Sequence, residues 1–259
     1  MTSDRPLAGY HILVTRGGTN GQRLAAEIQS LGGKAFIVPL IDFKQYIDRQ
    51  AAHFIQQLDH YDWLVFTSQN GVKFFLKQLK EYGIHIQDLH MNMAAVGKKT
   101  KEYLETYGIQ VDFVPSRFTA KAFAEEFFEQ IVSIKRILLP KGNLASATIA
   151  DFFRKRGIMV DEWIVYETYL PEKQKKILAK LLKSTNIHFA CFTSPSSFQH
   201  FMKVIEEFHF DLNQLAIKFV SIGPVTDHTI ENYGLKAAVS PDVYTIPTML
   251  DALCQYICK

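Results

Sequence analysis

A chain of 259 residues, 47% hydrophobic and 21% charged, has room for one large domain or two ordinary ones with packed cores. Its formal net charge is only +3 and it has no basic arm, so a nucleic-acid surface is not indicated, while a local anion site is compatible with it. No window approaches the roughly 18 to 20 apolar residues of a membrane span, and the opening MTSDRPLAGY lacks the apolar core of an export signal, so a cytoplasmic protein with no membrane partner is expected.

Taken in order, short apolar or β-branched runs mark strands at Tyr10–Thr15, Ala35–Val38, Asp62–Phe66, Met93–Val96, Val111–Val114, Arg136–Leu139, Met159–Tyr166, His188–Phe192, Lys218–Ile222 and Ala237–Val239. Amphipathic stretches lie between them. Phe123, Phe127 and Ile131 recur every four residues on one, and Ile149, Phe152 and Phe153 stripe another. Gly32, Gly83, Gly108, Gly157 and Gly234 each close such a stretch, as a helix C-terminus favours. Strand and helix in regular alternation predict parallel sheets covered by helices on both faces.

The chain also repeats itself. Phe66-Thr67-Ser68 returns as Phe192-Thr193-Ser194, Val96-Gly97 as Ile222-Gly223, and Thr100 as Thr226, all at one offset of 126 (66 to 192, 100 to 226). Tyr107-Gly108, Pro115 and Thr119 return at the same offset, as Tyr233-Gly234, Pro241 and Thr245. Gly17 matches Gly142, Leu24 matches Ile149 and Gly32 matches Gly157 at an offset of 125 (17 to 142). A single one-residue shift over half a chain points to two copies of one α/β unit.

In open parallel sheets ligands sit beyond the carboxyl ends of strands, where loops enter helix N-termini. Thr67, Ser68 and Asn70 occupy such a loop, as do Ser194, Ser196 and Ser197; the loops GKKT and GPVT offer Lys98, Thr100 and Thr226. These hydroxyls and amides either cap the helices or, with free backbone N–H groups, bind an anion. Arg16 and Lys141 occupy matching strand ends and suit a carboxylate-rich or phosphorylated ligand. The motifs of dinucleotide, P-loop, zinc-protease, CxxC and nucleophile-elbow chemistry are missing. Cys191, Cys254 and Cys258 read as reduced thiols, and no metal or cofactor is expected.

The pieces ILVTR (Ile12–Arg16), DWLVFTSQNGV (Asp62–Val72), AVGKKT (Ala95–Thr100), VYET (Val165–Thr168), FTSPSS (Phe192–Ser197), SIGPVT (Ser221–Thr226) and the segment Pro241–Leu250 together resemble the uroporphyrinogen-III synthase family over nearly the whole chain. The resemblance implies two flavodoxin-like lobes joined by two crossing strands near Val38–Phe43 and Val165–Leu170, with a ligand cleft between them. On that analogy 1–38 and 168–259 form one discontinuous lobe and 39–167 the other; the repeat alone would suggest a cut near residue 135. It implies a cofactor-free monomeric hydro-lyase that closes hydroxymethylbilane, a linear tetrapyrrole with eight carboxylates, into uroporphyrinogen III with ring D inverted. Tyr166 matches a family tyrosine proposed to assist departure of the hydroxyl, and Thr100 and Thr226 match cleft threonines. Ser197 departs from its counterpart Gly71. The rival reading is a non-catalytic two-lobed binder of an anionic small molecule, which closes without chemistry.

Overall fold

The computed structural model describes residues 5–258. In chain order its elements are β1 (His11–Val14), α1 (Gly18–Ser30), β2 (Lys34–Ile37), β3 (Asp42–Gln45), α2 (Ala51–Gln56), β4 (Trp63–Phe66), α3 (Gln69–Glu81), β5 (Asn92–Ala95) and α4 (Lys98–Glu105). There follow α5 (Ala120–Gln130), β6 (Arg136–Gly142), α6 (Thr148–Arg154), β7 (Met159–Tyr169), α7 (Glu172–Ser184), β8 (Phe189–Phe192) and α8 (Pro195–Glu207). The last are α9 (Leu212–Leu215), β9 (Lys218–Ser221), α10 (Pro224–Glu231), β10 (Ala237–Val239) and α11 (Ile246–Ile257). All five glycines expected at helix ends have positive φ, between 71° and 90°.

The described residues form two compact units. One gathers the chain up to Asp42 and from Tyr169 onward; the other is Phe43–Thr168. The first holds a five-stranded sheet in the order β10-β9-β8-β1-β2, every pair parallel. Counted by appearance from the β2 edge, this is the 2-1-3-4-5 order of flavodoxin-like folds. Successive strand residues face opposite ways. Ile12, Val14, Phe189 and Cys191 pack with Leu24 and Ile28 of α1 and Leu250 and Leu253 of α11. Leu13, Ala190 and Phe192 face the other side, toward Leu178 of α7 and Phe198 and Phe201 of α8. Burial on both faces is why these strands are continuously apolar.

The second unit has the order β3-β7-β6-β4-β5, with β7, β6, β4 and β5 parallel. Leu64 and Phe66 pack with Phe75, Leu79 and Trp163 on one face; Trp63 and Val65 pack with Phe123, Phe127 and Phe153 on the other. The segment Val111–Val114, expected as a strand, is reduced to a single parallel bridge from Phe113 to Ala94. The Asp112 carboxylate takes the Met93 N–H at 2.8 Å, where a strand would offer a carbonyl, and Pro115 brings no donor. The edge strand β3 is absent from the strands that the sequence pattern marks.

The repeat carries through to the elements. The offset of 126 lays both ends of α3 on both ends of α8 (69 to 195, 81 to 207) and the start of β5 on that of β9 (92 to 218). The offset of 125 lays the first residues of β1 and β2 on those of β6 and β7 (11 to 136, 34 to 159). The spatial series β7-β6-β4-β5 thus matches β2-β1-β8-β9, and Phe113 stands where β10 has Val239. The first unit combines the first two strands of one repeat with the last three of the other, and the second combines β6 and β7 with β4, β5, the Phe113 bridge and the edge strand β3, because the chain leaves the first unit after β2 and returns after β7.

At the amino-terminal ends of β6 and β7, Tyr61 donates to Asp161 at 2.8 Å, while Arg136 grips the same carboxylate at 3.1 and 2.8 Å and lies 4.6 Å from the Tyr61 ring. Burial first, then the bond to Asp161, pushes the Tyr61 phenol far above its ordinary range and keeps it protonated. This cluster lies at the end of the sheet opposite the loops that leave the carboxyl ends of β6 and β7.

Candidate active site

Within each parallel sheet the loops leaving the carboxyl ends of the strands gather along one edge. Ser68 is the N-cap of α3 and accepts the Gly71 N–H at 3.1 Å; Ser194 is the N-cap of α8 and accepts the Ser197 N–H at 3.3 Å. Capping therefore accounts for the recurrence of Phe-Thr-Ser. Thr67 is exposed and Asn70 half-buried in the first turn of α3. Ser196 is half-buried, its hydroxyl 3.4 Å from that of Ser194. Ser197 is only 2% exposed and donates to the Ser194 carbonyl at 2.7 Å, so its hydroxyl is already engaged. Thr100 and Thr226 are buried in the first turns of α4 and α10. Lys98 is a surface side chain with Glu102 at 3.7 Å.

Three helices open differently. Helices α1, α4 and α10 have Gly17, Gly97 and Gly223 as N-caps, with no side-chain capping bond. Pro224 gives α10 no N–H at its first position, and the Thr100 and Thr226 N–H groups take the Gly97 and Gly223 carbonyls at 3.0 Å, so the donors these entrances can offer a carboxylate are those of Lys98 and Lys99 in α4, Val225 in α10 and the first turn of α1. A methyl at Gly223 would fall 2.6 Å from the Tyr244 ring, so the helix entrance lies directly under that ring. Phe118 holds the matching place beside Gly97 (118 to 244), and both aromatics are exposed. The sequence pattern does not single out this pair, although the adjacent match of Thr119 with Thr245 marks it; both threonines cap their helices.

The two cations differ sharply. Arg16 is exposed, its guanidinium 3.3 Å from the Thr193 hydroxyl on the neighbouring loop. Lys141, expected from the sequence as the matching cation for a carboxylate-rich or phosphorylated ligand, is engaged by its own unit. Its ammonium is 2.5 Å from Glu162 and 3.1 Å from the Ser146 carbonyl, with the side chain only 11% exposed. Arg154 holds the other Glu162 oxygen at 3.0 Å. Burial alone would raise the Glu162 pKa; Lys141 and Arg154 outweigh it and hold the carboxyl below its ordinary value of 4.5.

Tyr166 lies near the carboxyl end of β7 and is 9% exposed. Its hydroxyl is 3.3 Å from the Ser68 hydroxyl. Phe74 stacks on the ring at 5.5 Å and Phe43 meets it edge-on at 5.8 Å. A phenol so walled presents one polar atom, beside a helix cap, in an otherwise apolar setting. Such an atom can donate a hydrogen bond to an oxygen on a bound molecule. Cys191, by contrast, is fully buried in the first unit, and burial pushes its thiol up to about 12. Cys254 and Cys258 are free, and among the described residues no group of three or more His, Cys, Asp or Glu side chains could hold a metal ion. No helix of the described residues is long and apolar enough to cross a membrane.

Residues 22–251 match the family model described as uroporphyrinogen-III synthase HemD. The chain is 24% identical over 261 residues to the uroporphyrinogen-III synthase of Synechococcus elongatus, covering 98% of each chain. It is 26% identical over 254 residues to the porphyrin biosynthesis protein HemD of Ruminiclostridium josui; that alignment takes in 97% of this chain, which spans about half (49%) of that longer relative. Among solved structures, a mutant uroporphyrinogen III synthase from the extremely thermophilic bacterium Thermus thermophilus shares the fold with a TM-score of 0.67 at 15% identity, covering 96% of this chain and 99% of that one.

Proposed function

The chain belongs to the uroporphyrinogen-III synthase family, and from that premise we propose that it is a cyclising hydro-lyase converting hydroxymethylbilane to uroporphyrinogen III with inversion of ring D. The observation that carries this reading is the family match across residues 22–251. The linear substrate loses its terminal hydroxyl as water, leaving an azafulvene. The substituted carbon of ring D attacks it, and the resulting spiro-pyrrolenine breaks and recloses with the ring turned. We read the enzyme as a cytoplasmic monomer that works without a cofactor.

The unrearranged isomer forms spontaneously once water leaves, so the protein's work is mostly positioning. The substrate's carboxylates need donors, and the first-turn N–H groups of α1, those of Lys98 and Lys99 in α4, that of Val225 in α10 and the exposed Arg16 supply them. Thr67, Asn70 and Ser196 add donors at the entrances of α3 and α8, where Ser68 and Ser194 hold the loops in place as caps. The Tyr166 phenol, held beside Ser68, donates to the departing hydroxyl. Incubation with freshly generated hydroxymethylbilane, followed by oxidation and chromatography of the porphyrin isomers, tests the assignment. The type III isomer should dominate; type I at the spontaneous ratio would leave the chain a non-catalytic binder.

The two cations separate binding from stability. Arg16→Ala should raise KM several-fold with kcat nearly unchanged, the loss of about 1 kcal/mol for one exposed carboxylate contact. Lys141→Ala should instead lower stability by about 1.5 to 3 kcal/mol, because Glu162 loses a charged hydrogen-bond partner in a largely buried place. Since the Glu162 pKa is depressed in the folded state, that stability is present above 4.5 and is lost as pH falls through the folded value. Denaturation of wild type and Lys141→Ala should therefore differ at neutral pH and converge in acid. A KM effect without a stability loss for Lys141→Ala would return it to the substrate.

A further inference from the structure

Gly142 is the last residue of β6 and lies in register with Tyr166, where the ladder shifts by a residue. A Cβ at position 142 would stand 2.4 Å from the phenol Cζ, 2.6 Å from Cε2 and 2.8 Å from the hydroxyl oxygen. These are far inside any tolerable contact, so the ring rests on the bare backbone of Gly142. Phe74 covers the ring and Ser68 meets its hydroxyl. The phenol is thus boxed, and the glycine is the wall on which its reactive end depends.

The internal repeat supplies a control. Gly17 is the counterpart of Gly142, and a Cβ there would meet Pro39 at 2.9 Å; the position matching Tyr166 is Ile41 (41 to 166). Both units keep the tight place, and the second fills it with a phenol. Gly142 does not have a positive φ, so its backbone accepts alanine, and the atoms in the way are the far end of one side chain. Alanine there displaces the phenol and spares the strand.

We propose that Gly142 is a positioning residue for the Tyr166 hydroxyl, acting through the ring it leaves room for; this rests on the reading of Tyr166 as the donor to the departing hydroxyl. The test is a double-mutant comparison of kcat, KM and thermal midpoint for wild type, Gly142→Ala, Tyr166→Phe and the double variant. A donor shifted by about 1 Å can lose up to about 100-fold in rate, so Gly142→Ala should lower kcat by about 10- to 100-fold with KM little changed. In the Tyr166→Phe background the same substitution should cost less than about 2-fold, since the hydroxyl it displaces is already gone. Ser68→Gly carries the same test if the alanine variant folds poorly, because it removes the phenol's partner where glycine also caps a helix. Wild-type kcat in Gly142→Ala, or an equal loss in both backgrounds, would overturn the positioning role alone. Wild-type turnover in Tyr166→Phe would overturn the reading of Tyr166 and this inference with it.

Discussion

Tyr166→Phe should slow turnover by about 5- to 150-fold and leave the isomer outcome unchanged, the kinetic equivalent of losing one transition-state hydrogen bond of about 1 to 3 kcal/mol. Two jobs are separable here. Departure of water needs a donor at the hydroxymethyl oxygen, and the proposed donor is the phenol beside Ser68. Inversion of ring D needs the chain held in the right curl, which many loop donors share. The aromatic ring stays in the variant, so its packing against Phe74 and Gly142 persists and stability should hardly move. Steady-state kinetics with isomer analysis reads both quantities at once. A shift toward type I would make Tyr166 a shaping residue.

Gly21→Ala should destabilise the protein by about 3 kcal/mol, roughly 10 °C in melting temperature, in spite of alanine's better helix propensity. A Cβ at Gly21 would lie 2.0 Å from the Arg16 carbonyl oxygen. That atom is backbone, so relief requires the first turn of α1 or the loop after β1 to move as a body. At Gly142 the obstruction is a side-chain end; here it is the main chain that carries Arg16. KM should rise together with the loss of stability, since the guanidinium moves with its loop. A calorimetric midpoint equal to that of wild type would refute the steric argument.

Much of the fold was legible because the repeat writes the same physics twice. Phe-Thr-Ser before a helix marks an apolar strand followed by an N-cap, and both serines cap as their residue type allows. The strand β3 was hidden because its residues are exposed or half-buried and carry no apolar alternation; it exists as an edge strand alongside β7. The segment Val111–Val114 misled for the opposite reason: its apolar residues are real, but the Asp112 side chain competes for the ladder. At the site, local chemistry showed the loops, while the candidate phenol came only from the family resemblance. Neither showed that Gly142 lies against Tyr166, or that Glu162 neutralises Lys141. Both pairings depend on the register of β6 against β7, which brings residues about 20 apart in sequence into contact.

Ring inversion is the central claim, and an isotope label follows it most directly. Hydroxymethylbilane carrying adjacent 13C labels, on the bridge carbon between rings C and D and on the ring-D carbon bonded to it, is converted by the protein and examined by 13C NMR. Rearrangement through the spiro intermediate breaks that bond and rejoins the bridge carbon to the other side of ring D, so the one-bond coupling should vanish from the product. Product retaining the full coupling, as direct closure gives, would contradict the account.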